Sequence, residues 1–399
     1  MKSHISKTFC PLPWSAVSAS PSGNLTPCCE FHSQHNGYKT SDIEEYRNSK
    51  WLQDIKHQFI SGKWPKGCDI CKYKEKNNSH SKRLEETKNF KNYYKINNVS
   101  LSDVENLEKY FLINLQVSNT CNLGCIMCTP HYSSFLQREA VENEISIFHS
   151  DSTITTNLSN NYTKEDIVKI AKLVDTAGTA RIYITGGEPS VIKEVSVVLE
   201  EMISLGINNN IELEFNSNFQ SFNPKFINLL KHFCGHAMVS IDHIGERGEY
   251  LRYPSKWNNV QANLAKFRQE CPNFRITITP TIHNLNFLTF DQLLIWANQE
   301  SYTVSLYNYL TRSDFLRANL LPEHLKLATL EKIKKIYIPS EYQLDDYTRL
   351  EQFIMTTDNI NNYSTKLMHH LNSFDAIRGL NWKKIFPEMH NVLDNTYKR

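Results

Sequence analysis

Short apolar runs and amphipathic stretches alternate along the middle of the chain. Runs rich in β-branched and aromatic residues predict strands over 111–117, 181–185, 211–215, 237–241, 274–279 and 302–307. Apolar residues at helical spacing predict helices over 164–175, 192–205, 224–232, 257–268 and 290–299. After a longer first interval the strands recur every ~30 residues, the length of one βα unit. We therefore predict an α/β fold with parallel strands, a partial (β/α)6 TIM-like barrel.

The two ends of the chain have different patterns. The first 75 residues are rich in turn formers, with one amphipathic helix predicted over 42–60. The polar and charged sequence of 76–100 predicts a surface helix or connector with a solvated charged face. Beyond residue 312 the pattern is mostly helical, over 323–336, 345–356 and 380–393. We expect three regions: a cysteine-rich module at 1–95, the barrel at 108–315 and a C-terminal helical segment at 316–399.

Composition places the chain among ordinary globular proteins. Its 399 residues are 40% hydrophobic and 22% charged, with a formal net charge of +2. This balance points to neither nucleic acid nor an anionic membrane surface. No secretory signal opens the chain, and no apolar run approaches the ~20 residues of a membrane helix. We expect a cytoplasmic protein.

The ten cysteines are clustered along the chain. Cys10, Cys28, Cys29, Cys68 and Cys71 lie in the first fifth, and a second group has the spacing Cys-x3-Cys-x2-Cys at Cys121, Cys125 and Cys128. Without an export signal, such clusters predict metal or redox ligands before disulfides. Cys234 and Cys271 stand alone, and we expect both to be ordinary buried residues.

The second cysteine group follows the first strand of the predicted barrel. Three thiolates within eight residues can wrap one corner of a cubane cluster, and Gly124 would let the backbone turn tightly. Since a [4Fe–4S] cluster normally takes four cysteines, three leave one iron open to an amino-acid chelate. The alternative is a zinc site with His131 as its fourth ligand.

The second predicted strand runs into Gly-Gly-Glu-Pro at 186–189. Because parallel strands end on the same face of a barrel, we expect this loop to lie beside the cysteine loop. Its glycines permit close backbone approach, and its carbonyls and Glu188 could bind an ammonium group. We expect Pro189 to end the strand. Alone, the four residues would be an ordinary βα turn.

Together these segments resemble the radical S-adenosylmethionine (SAM) superfamily, whose signature is Cys-x3-Cys-x-aromatic-Cys followed by Gly-Gly-Glu-Pro. Met127 replaces the usual aromatic residue and could still cover the adenine. The resemblance implies a [4Fe–4S] cluster on the cysteine trio and a SAM site formed by Gly186, Gly187, Glu188, Pro189, Met127, Asn218, Ser240 and Arg252. Arg252 could instead be a surface residue. Asp242, which follows the predicted strand 237–241, could be a cap on the next helix.

The N-terminal cysteines resemble a twitch or SPASM auxiliary-cluster module. Its opening pattern, Cys-x9–15-Gly-x4-Cys, is met by Cys10, Gly23 and Cys28, and a Cys-x2-Cys pair follows at Cys68 and Cys71. The resemblance implies an auxiliary [4Fe–4S] cluster on Cys10, Cys28, Cys68 and Cys71, with Cys29 as a spare. The alternative is an all-cysteine structural zinc site.

The resemblance also implies an activity. Such an enzyme takes an electron from a donor such as flavodoxin or ferredoxin, cleaves SAM to a 5′-deoxyadenosyl radical and abstracts hydrogen from a substrate. The auxiliary module favours a peptide or protein substrate by analogy. A small carbohydrate or nucleotide substrate is the alternative. A non-enzymatic zinc-stapled scaffold or Fe–S electron carrier is the rival from another class.

Overall fold

A computed structural model describes residues 6–31, 37–76, 81–143, 162–221, 223–311, 313–340, 343–356 and 363–397. In chain order its strands are β1 (Ala16–Ala19), β2 (Asn24–Thr26), β3 (Tyr38–Lys39), β4 (Leu112–Leu115), β5 (Ala180–Ile184), β6 (Ile211–Ser217), β7 (Cys234–Val239), β8 (Phe274–Ile278) and β9 (Thr303–Val304). Short 3₁₀ turns lie at Leu101–Asp103, Asn208–Asn210 and Ala318–Leu320.

Helices connect these strands and form most of the C-terminal part. In chain order they are α1 (Leu12–Ser15), α2 (Ile43–Asn48), α3 (Lys50–Ile60), α4 (Asp69–Lys76), α5 (Lys82–Tyr94), α6 (Ser134–Glu142), α7 (Lys164–Ala171), α8 (Lys193–Ser204), α9 (Pro224–Leu230), α10 (Gly245–Leu251), α11 (Trp257–Glu270), α12 (Asn284–Phe287), α13 (Phe290–Gln299), α14 (Glu323–Ile336), α15 (Asp346–Ile354), α16 (Tyr363–Arg378), α17 (Trp382–Ile385) and α18 (Pro387–Tyr397). No helix in the described ranges is long and apolar enough to cross a membrane.

Parallel strands form the body of the sheet, as the sequence predicts. β1 pairs in parallel with β4, β4 with β5, and β5 with β6, while β8 pairs in parallel with β9. β2 and β3 add antiparallel pairs beside β1. The strand order begins at β3 and ends at β9, so across the described residues the sheet is open. The predicted α/β class with a partial, unclosed barrel is confirmed.

Each of the six predicted strands overlaps an observed strand, from β4 to β9. β1 was not predicted, although it pairs with β4 along its whole length, from Ala16 opposite Leu112 to Ala19 opposite Leu115. The sequence Ala-Val-Ser-Ala has only one β-branched residue and gives a weak strand signal. Burial on both faces in the sheet supplies what the local sequence lacks.

The chain divides into two compact units. The first comprises Met1–Thr120, Asn157–Phe215 and Asn223–His236. The second comprises Cys121–Thr156, Asn216–Phe222 and Ala237–Arg399. The N-terminal cysteines and the Gly-Gly-Glu-Pro loop belong to the first unit, and the Cys121 loop belongs to the second.

The helix predicted over 42–60 is two helices, because Ser49 interrupts it. Ser49 is extended (φ −65°, ψ 140°), and its Oγ accepts a hydrogen bond from Leu52 N at 3.2 Å, capping α3. Leu52, Ile55 and Phe59 then bury one face of α3. Local capping thus outweighs the continuous amphipathic pattern.

The prediction of a solvated charged face over 76–100 is wrong for α5. Glu86 and Phe90 are fully buried there. The Glu86 carboxylate pairs with Lys82 at 2.9 Å and also with Arg181 of β5. A buried charge is tolerated only when it is paired, and both partners are supplied here. Lys82 comes from the same helix, and Arg181 comes from a strand distant in sequence.

The C-terminal region is helical, as predicted, with different boundaries. α14 has the predicted bounds, while the segment predicted over 380–393 is divided into α17 and α18 at Pro387. A proline lacks the N–H that a continuing helix needs, so it begins α18 instead. The 16-residue helix α16 was not predicted.

Candidate metal and cofactor site

Backbone hydrogen bonds fix the cysteine loop after β4. Gly124 N donates to Tyr253 O at 2.6 Å, and Ile126 N donates to Leu251 O at 3.0 Å. Cys121 N donates to Ser134 Oγ, at the start of α6, at 3.1 Å. These bonds join the loop to the segment 251–253 and to the start of α6.

Gly124 is needed for space, which corrects its expected role as a tight-turn residue. Its φ is not among the positive values of the chain. A Cβ at this position would lie 2.7 Å from Phe135 Cδ1 and 2.8 Å from Arg378 Nη2. Any larger residue would displace both side chains from the loop.

Cys125 is buried in the loop, and Cys121 and Cys128 are half-buried. Burial raises the pKa of Cys125, while Arg252 acts in the opposite direction. Burial also raises the pKa of Cys128 to about 12, and the neighbouring Cys125 raises it further. Burial therefore disfavours the thiolate form of both residues, which is the form that binds iron, and a nearby positive charge favours it.

Arg252 and Asp242 form a buried ion pair beside these thiols. Arg252 Nε lies 2.7 Å from Asp242 Oδ2, and its Nη2 donates to Asp242 Oδ1 at 3.0 Å. Its Nη1 points at Cys125 Sγ, 3.7 Å away. Burial alone would lower the pKa of Arg252, but the Asp242 carboxylate outweighs it and raises that pKa. A fixed positive charge therefore lies against Cys125.

The two alternative interpretations, a surface position for Arg252 and a helix-capping role for Asp242, are both wrong. Arg252 is not a surface residue, since only 14% of its side chain is exposed. Asp242 caps neither neighbouring helix, because its Oδ1 accepts from Arg252 and from Thr281 N, at 2.7 Å. Asp242 was not among the predicted site residues, and only its place at the end of β7 could have suggested it.

Of the other predicted SAM contacts of the second unit, Met127 lies within the cysteine loop and Asn218 is hydrogen-bonded to it. Asn218 Nδ2 donates to Asn122 Oδ1, inside the cysteine loop, at 2.8 Å. Ser240 follows β7, and its N donates to Ser217 O at 2.8 Å. Met127 is half-buried. His131, the alternative zinc ligand, packs edge-on against Tyr132 with ring centroids 4.6 Å apart.

The Gly-Gly-Glu-Pro loop of the first unit is built on the segment that precedes Cys121. Gly187 N donates to Ser118 O at 3.0 Å, and Glu188 N donates to Thr120 O at 2.8 Å. A Cβ on Gly187 would lie 2.1 Å from Thr120 O, so this close approach requires glycine. The predicted close backbone approach is therefore made to the chain's own residues.

Glu188 and Pro189 are buried at this turn. Ser190 Oγ donates to Glu188 Oε1 at 2.9 Å, which orients the carboxylate. Pro189 does not end the strand, since β5 ends at Ile184, well before it. Gly186 adopts φ +112°, a conformation open mainly to glycine, and this breaks the strand geometry earlier than the proline.

Four N-terminal cysteines converge in the first unit. Cys10 is buried in an apolar cluster with Phe9, Phe31 and Trp14, and Cys28 and Cys68 pack against the same cluster. Burial raises the pKa of Cys28, and Cys29, Cys68, Cys10 and Cys71 each raise it further. Burial raises the pKa of Cys10 to about 12, and Cys71 adds to it. These thiols are therefore electrostatic neighbours.

Both cysteine sets suit the chemistry of an iron–sulfur cluster. The donors are soft thiols, and a fixed guanidinium stands beside Cys125 to offset thiolate charge. Within the described chain no three His, Cys, Asp or Glu side chains already stand at metal-binding geometry. The ligand assignments stay predictions.

The two isolated cysteines differ from each other. Cys271 is buried, as expected, while Cys234 is exposed, which corrects the expectation for that residue. Cys234 begins β7, and its Sγ contacts Ile211 O at 3.8 Å. All ten cysteines lie in described residues, and none forms a disulfide.

An open α/β sheet with a cysteine loop after a parallel strand defines a class of cofactor-dependent α/β proteins. Comparison with known families then identifies the domain. Residues 115–297 match the family model described as the Radical SAM superfamily. The matched domain contains the cysteine loop, Gly-Gly-Glu-Pro and Arg252. Members of the superfamily use a [4Fe–4S] cluster and SAM.

Individual relatives are distant. The chain is 29% identical over 90 residues to molybdenum cofactor biosynthesis protein 1 of Dictyostelium discoideum, covering 23% of this chain and 11% of that protein. SuiB of Streptococcus suis bound to S-adenosylmethionine shares 14% identity, with 83% of this chain and 70% of that chain covered and a TM-score of 0.40. Native anSMEcpe with bound AdoMet and Cp18Cys peptide shares 13% identity, with 56% and 58% covered and a TM-score of 0.38. The chain thus spans about a tenth of the curated relative.

Proposed function

We propose that this protein reductively cleaves SAM at a [4Fe–4S] cluster held by Cys121, Cys125 and Cys128, and abstracts hydrogen from a peptide or protein substrate. The observation that carries the proposal is the cysteine trio on the loop after β4, inside the matched domain. When bound, the cluster supplies the electron that splits SAM into methionine and a 5′-deoxyadenosyl radical.

The chain's own residues orient and shield this chemistry. Cys125 is buried, so one ligand is kept from water. Arg252 places a positive charge against its sulfur and stabilises the thiolate, while Asp242 fixes the guanidinium. Asn218, bonded to Asn122, holds the loop from its other side.

The remaining contacts to SAM are proposed from the family motifs. Gly186, Gly187, Glu188 and Pro189 would take the amino-acid end of SAM, with Met127 beside the adenine. Asn218 would lie near the ribose, and Ser240 and Arg252 would complete the site. Because Asp242 already occupies two nitrogens of Arg252, its Nη1 is the atom that faces the cysteine loop.

The second part of the proposal concerns the N-terminal cysteines. Cys10, Cys28, Cys68 and Cys71 would hold an auxiliary [4Fe–4S] cluster, supported by the mutual effects of their thiols on one another's pKa. The peptide or protein substrate rests on the resemblance of this set to the twitch and SPASM modules. An electron donor such as flavodoxin or ferredoxin would supply the reducing equivalent.

The test is metal analysis and SAM cleavage on anaerobically purified protein. We expect about eight irons per chain, as two cubanes require, and release of 5′-deoxyadenosine with SAM and dithionite. The triple variant Cys121→Ala/Cys125→Ala/Cys128→Ala should lose the cleavage and keep about four irons. The matched control is Cys234→Ala, which removes an exposed cysteine outside both sets and should change neither. Stoichiometric zinc without iron would refute the proposal in favour of a scaffold.

A further inference from the structure

A cavity of about 440 Å³ lies within the first unit, and the described residues that line it include no cysteine. Pro13, Trp14, Leu107 and Tyr110 form its apolar and aromatic walls. Trp14 is held in place by stacking on Phe9, with ring centroids 5.3 Å apart. The volume falls in the range of small-ligand pockets, and rigid aromatic walls favour binding because little conformational freedom is lost.

Two of the three cations among the described residues that line this cavity lie close to its aromatic rings. Lys56 of α3 has its Nζ 5.7 Å from the centroid of Trp14, and Arg47 of α2 lies 5.7 Å from the centroid of Tyr110. Burial and the nearby Arg47 lower the pKa of Lys56 to about 8. In the part of the chain that the structure describes, the Lys56 ammonium has neither a hydrogen-bond acceptor nor an ion-pair partner. A partly desolvated ammonium beside a second cation favours a bound anion.

The lining carboxylates do not neutralise Lys56. Glu44 lies 3.4 Å from Arg47, and Glu105 and Glu108 also line the cavity. None of the three contributes to the pKa of Lys56. Lys109 is engaged elsewhere, donating to Lys172 O at 2.8 Å. The cavity thus combines one uncompensated cation, aromatic walls and a separate acidic lining, which suits a peptide segment carrying charges and apolar groups.

We propose that this cavity binds the carboxylate of an acidic side chain on the peptide substrate, with Lys56 as its charge partner and Trp14 and Tyr110 as the walls around it. The assignment rests on the peptide class proposed above. Arg47 adds little to this attraction, because its own guanidinium is shared with Glu44.

The test is competitive acetylation of lysines in the anaerobically purified protein, read for each lysine by peptide mass spectrometry. The probes are a blocked tetrapeptide with one phenylalanine and one glutamate, its glutamine counterpart, and inorganic phosphate. The glutamate peptide should slow acetylation of Lys56 at least fivefold, and the glutamine peptide and phosphate should not. Lys50, exposed on the same helix, should react equally in all samples.

Variants make the result specific. Lys56→Met should weaken equilibrium binding of the glutamate peptide at least tenfold, Lys56→Arg should retain most of it, and Lys50→Met should leave it unchanged. Equal protection by phosphate would overturn the peptide assignment, as would an absence of protection or equal binding by Lys56→Met. Release of 5′-deoxyadenosine by the wild-type protein without peptide tests the SAM chemistry separately, so the two failures are distinguishable.

Discussion

The ion pair of Arg252 and Asp242 lies beside Cys125 of the cysteine loop. Asp242 is fully buried, and it accepts from both Arg252 and Thr281 N. A buried pair gains little over apolar residues, but breaking it leaves one charge uncompensated. The main effect of the pair is therefore to fix the position of the Arg252 guanidinium beside Cys125, and its net contribution to the stability of the fold is small.

Replacing Asp242 tests this pair. Asp242→Asn should lower the free energy of unfolding by about 3 kcal/mol, because Arg252 keeps its buried charge without a partner. Denaturant unfolding under anaerobic conditions measures the change. The matched control, Asp345→Asn, breaks a solvent-exposed pair with Arg349 and should have little effect. Equal changes in the two variants would contradict the assigned importance of the buried pair.

His283 gives the second unit a pH dependence. Burial lowers the pKa of His283 to about 4, although Asp242 acts in the opposite direction. Because the folded pKa lies below the unfolded value of about 6.5, the neutral form is favoured by folding. The contribution is complete above pH 6.5 and is lost progressively as the pH falls towards 4.

We expect the unfolding free energy to fall by about 1 kcal/mol from pH 7.5 to pH 5.5, because His283 takes up a proton on unfolding. His283→Asn keeps a side chain able to cap α12 but cannot protonate, so its unfolding free energy should change less over the same interval. Denaturant titrations at both pH values provide the comparison. If the unfolding free energy changes by the same amount between the two pH values in wild type and variant, His283 is not the responsible group.

At the scale of elements, α16 connects the C-terminal region to the cysteine loop. Arg378 donates to both oxygens of Glu139, at 2.8 and 2.7 Å, and to Gly124 O at 2.7 Å. His370 Nε2 donates to Ile126 O at 3.1 Å. Two residues of one helix thus bind two carbonyls between the cysteines, a role that no sequence motif indicates.

Arg378→Lys should loosen the loop without removing the charge. A lysine cannot reproduce the planar fork that binds Glu139 and Gly124 together. We expect severalfold faster hydrogen exchange of the amides at 121–128 and faster loss of iron to a chelator. Lys366→Met, which removes an exposed charge from the same helix, is the matched control. Unchanged hydrogen exchange at 121–128 in Arg378→Lys would refute the proposed role of Arg378 in holding the cysteine loop.

The apolar pattern of α16 explains why it was missed. Leu367, Leu371 and Phe374 are buried, but His370 and Arg378 are buried on the same helix. Polar residues on a buried face weaken the periodic signal that predicts helices. Their burial is compensated by partners in the cysteine loop and α6, which no local pattern can indicate.

At the scale of the molecule, the two cysteine sets lie in different compact units. We therefore expect them to load independently. Cys68→Ala/Cys71→Ala should lose about four of eight irons while still releasing 5′-deoxyadenosine from SAM without peptide. Iron and sulfide analysis with chromatography of the nucleoside products measures both. Complete loss of iron in this variant would contradict independent loading.

The sequence by itself determined the parallel α/β order and the resemblance of residues 115–297 to the Radical SAM superfamily. Strand and helix periodicity located β4 to β9 and α14, because burial on one face or both imposes a local pattern. The cysteine motif and Gly-Gly-Glu-Pro are each a short continuous segment, so each can be recognised from neighbouring residues alone. Both motifs lie in the matched domain.

Only the tertiary structure decided which distant residues serve these motifs. The pairing of β1 with β4, the burial of Glu86 against Arg181 and the contacts of Arg378 with the loop all join segments far apart in sequence. Charged and small residues carry no periodic signal for such contacts. Their burial is favourable only where the fold brings the compensating charge or carbonyl within hydrogen-bond distance.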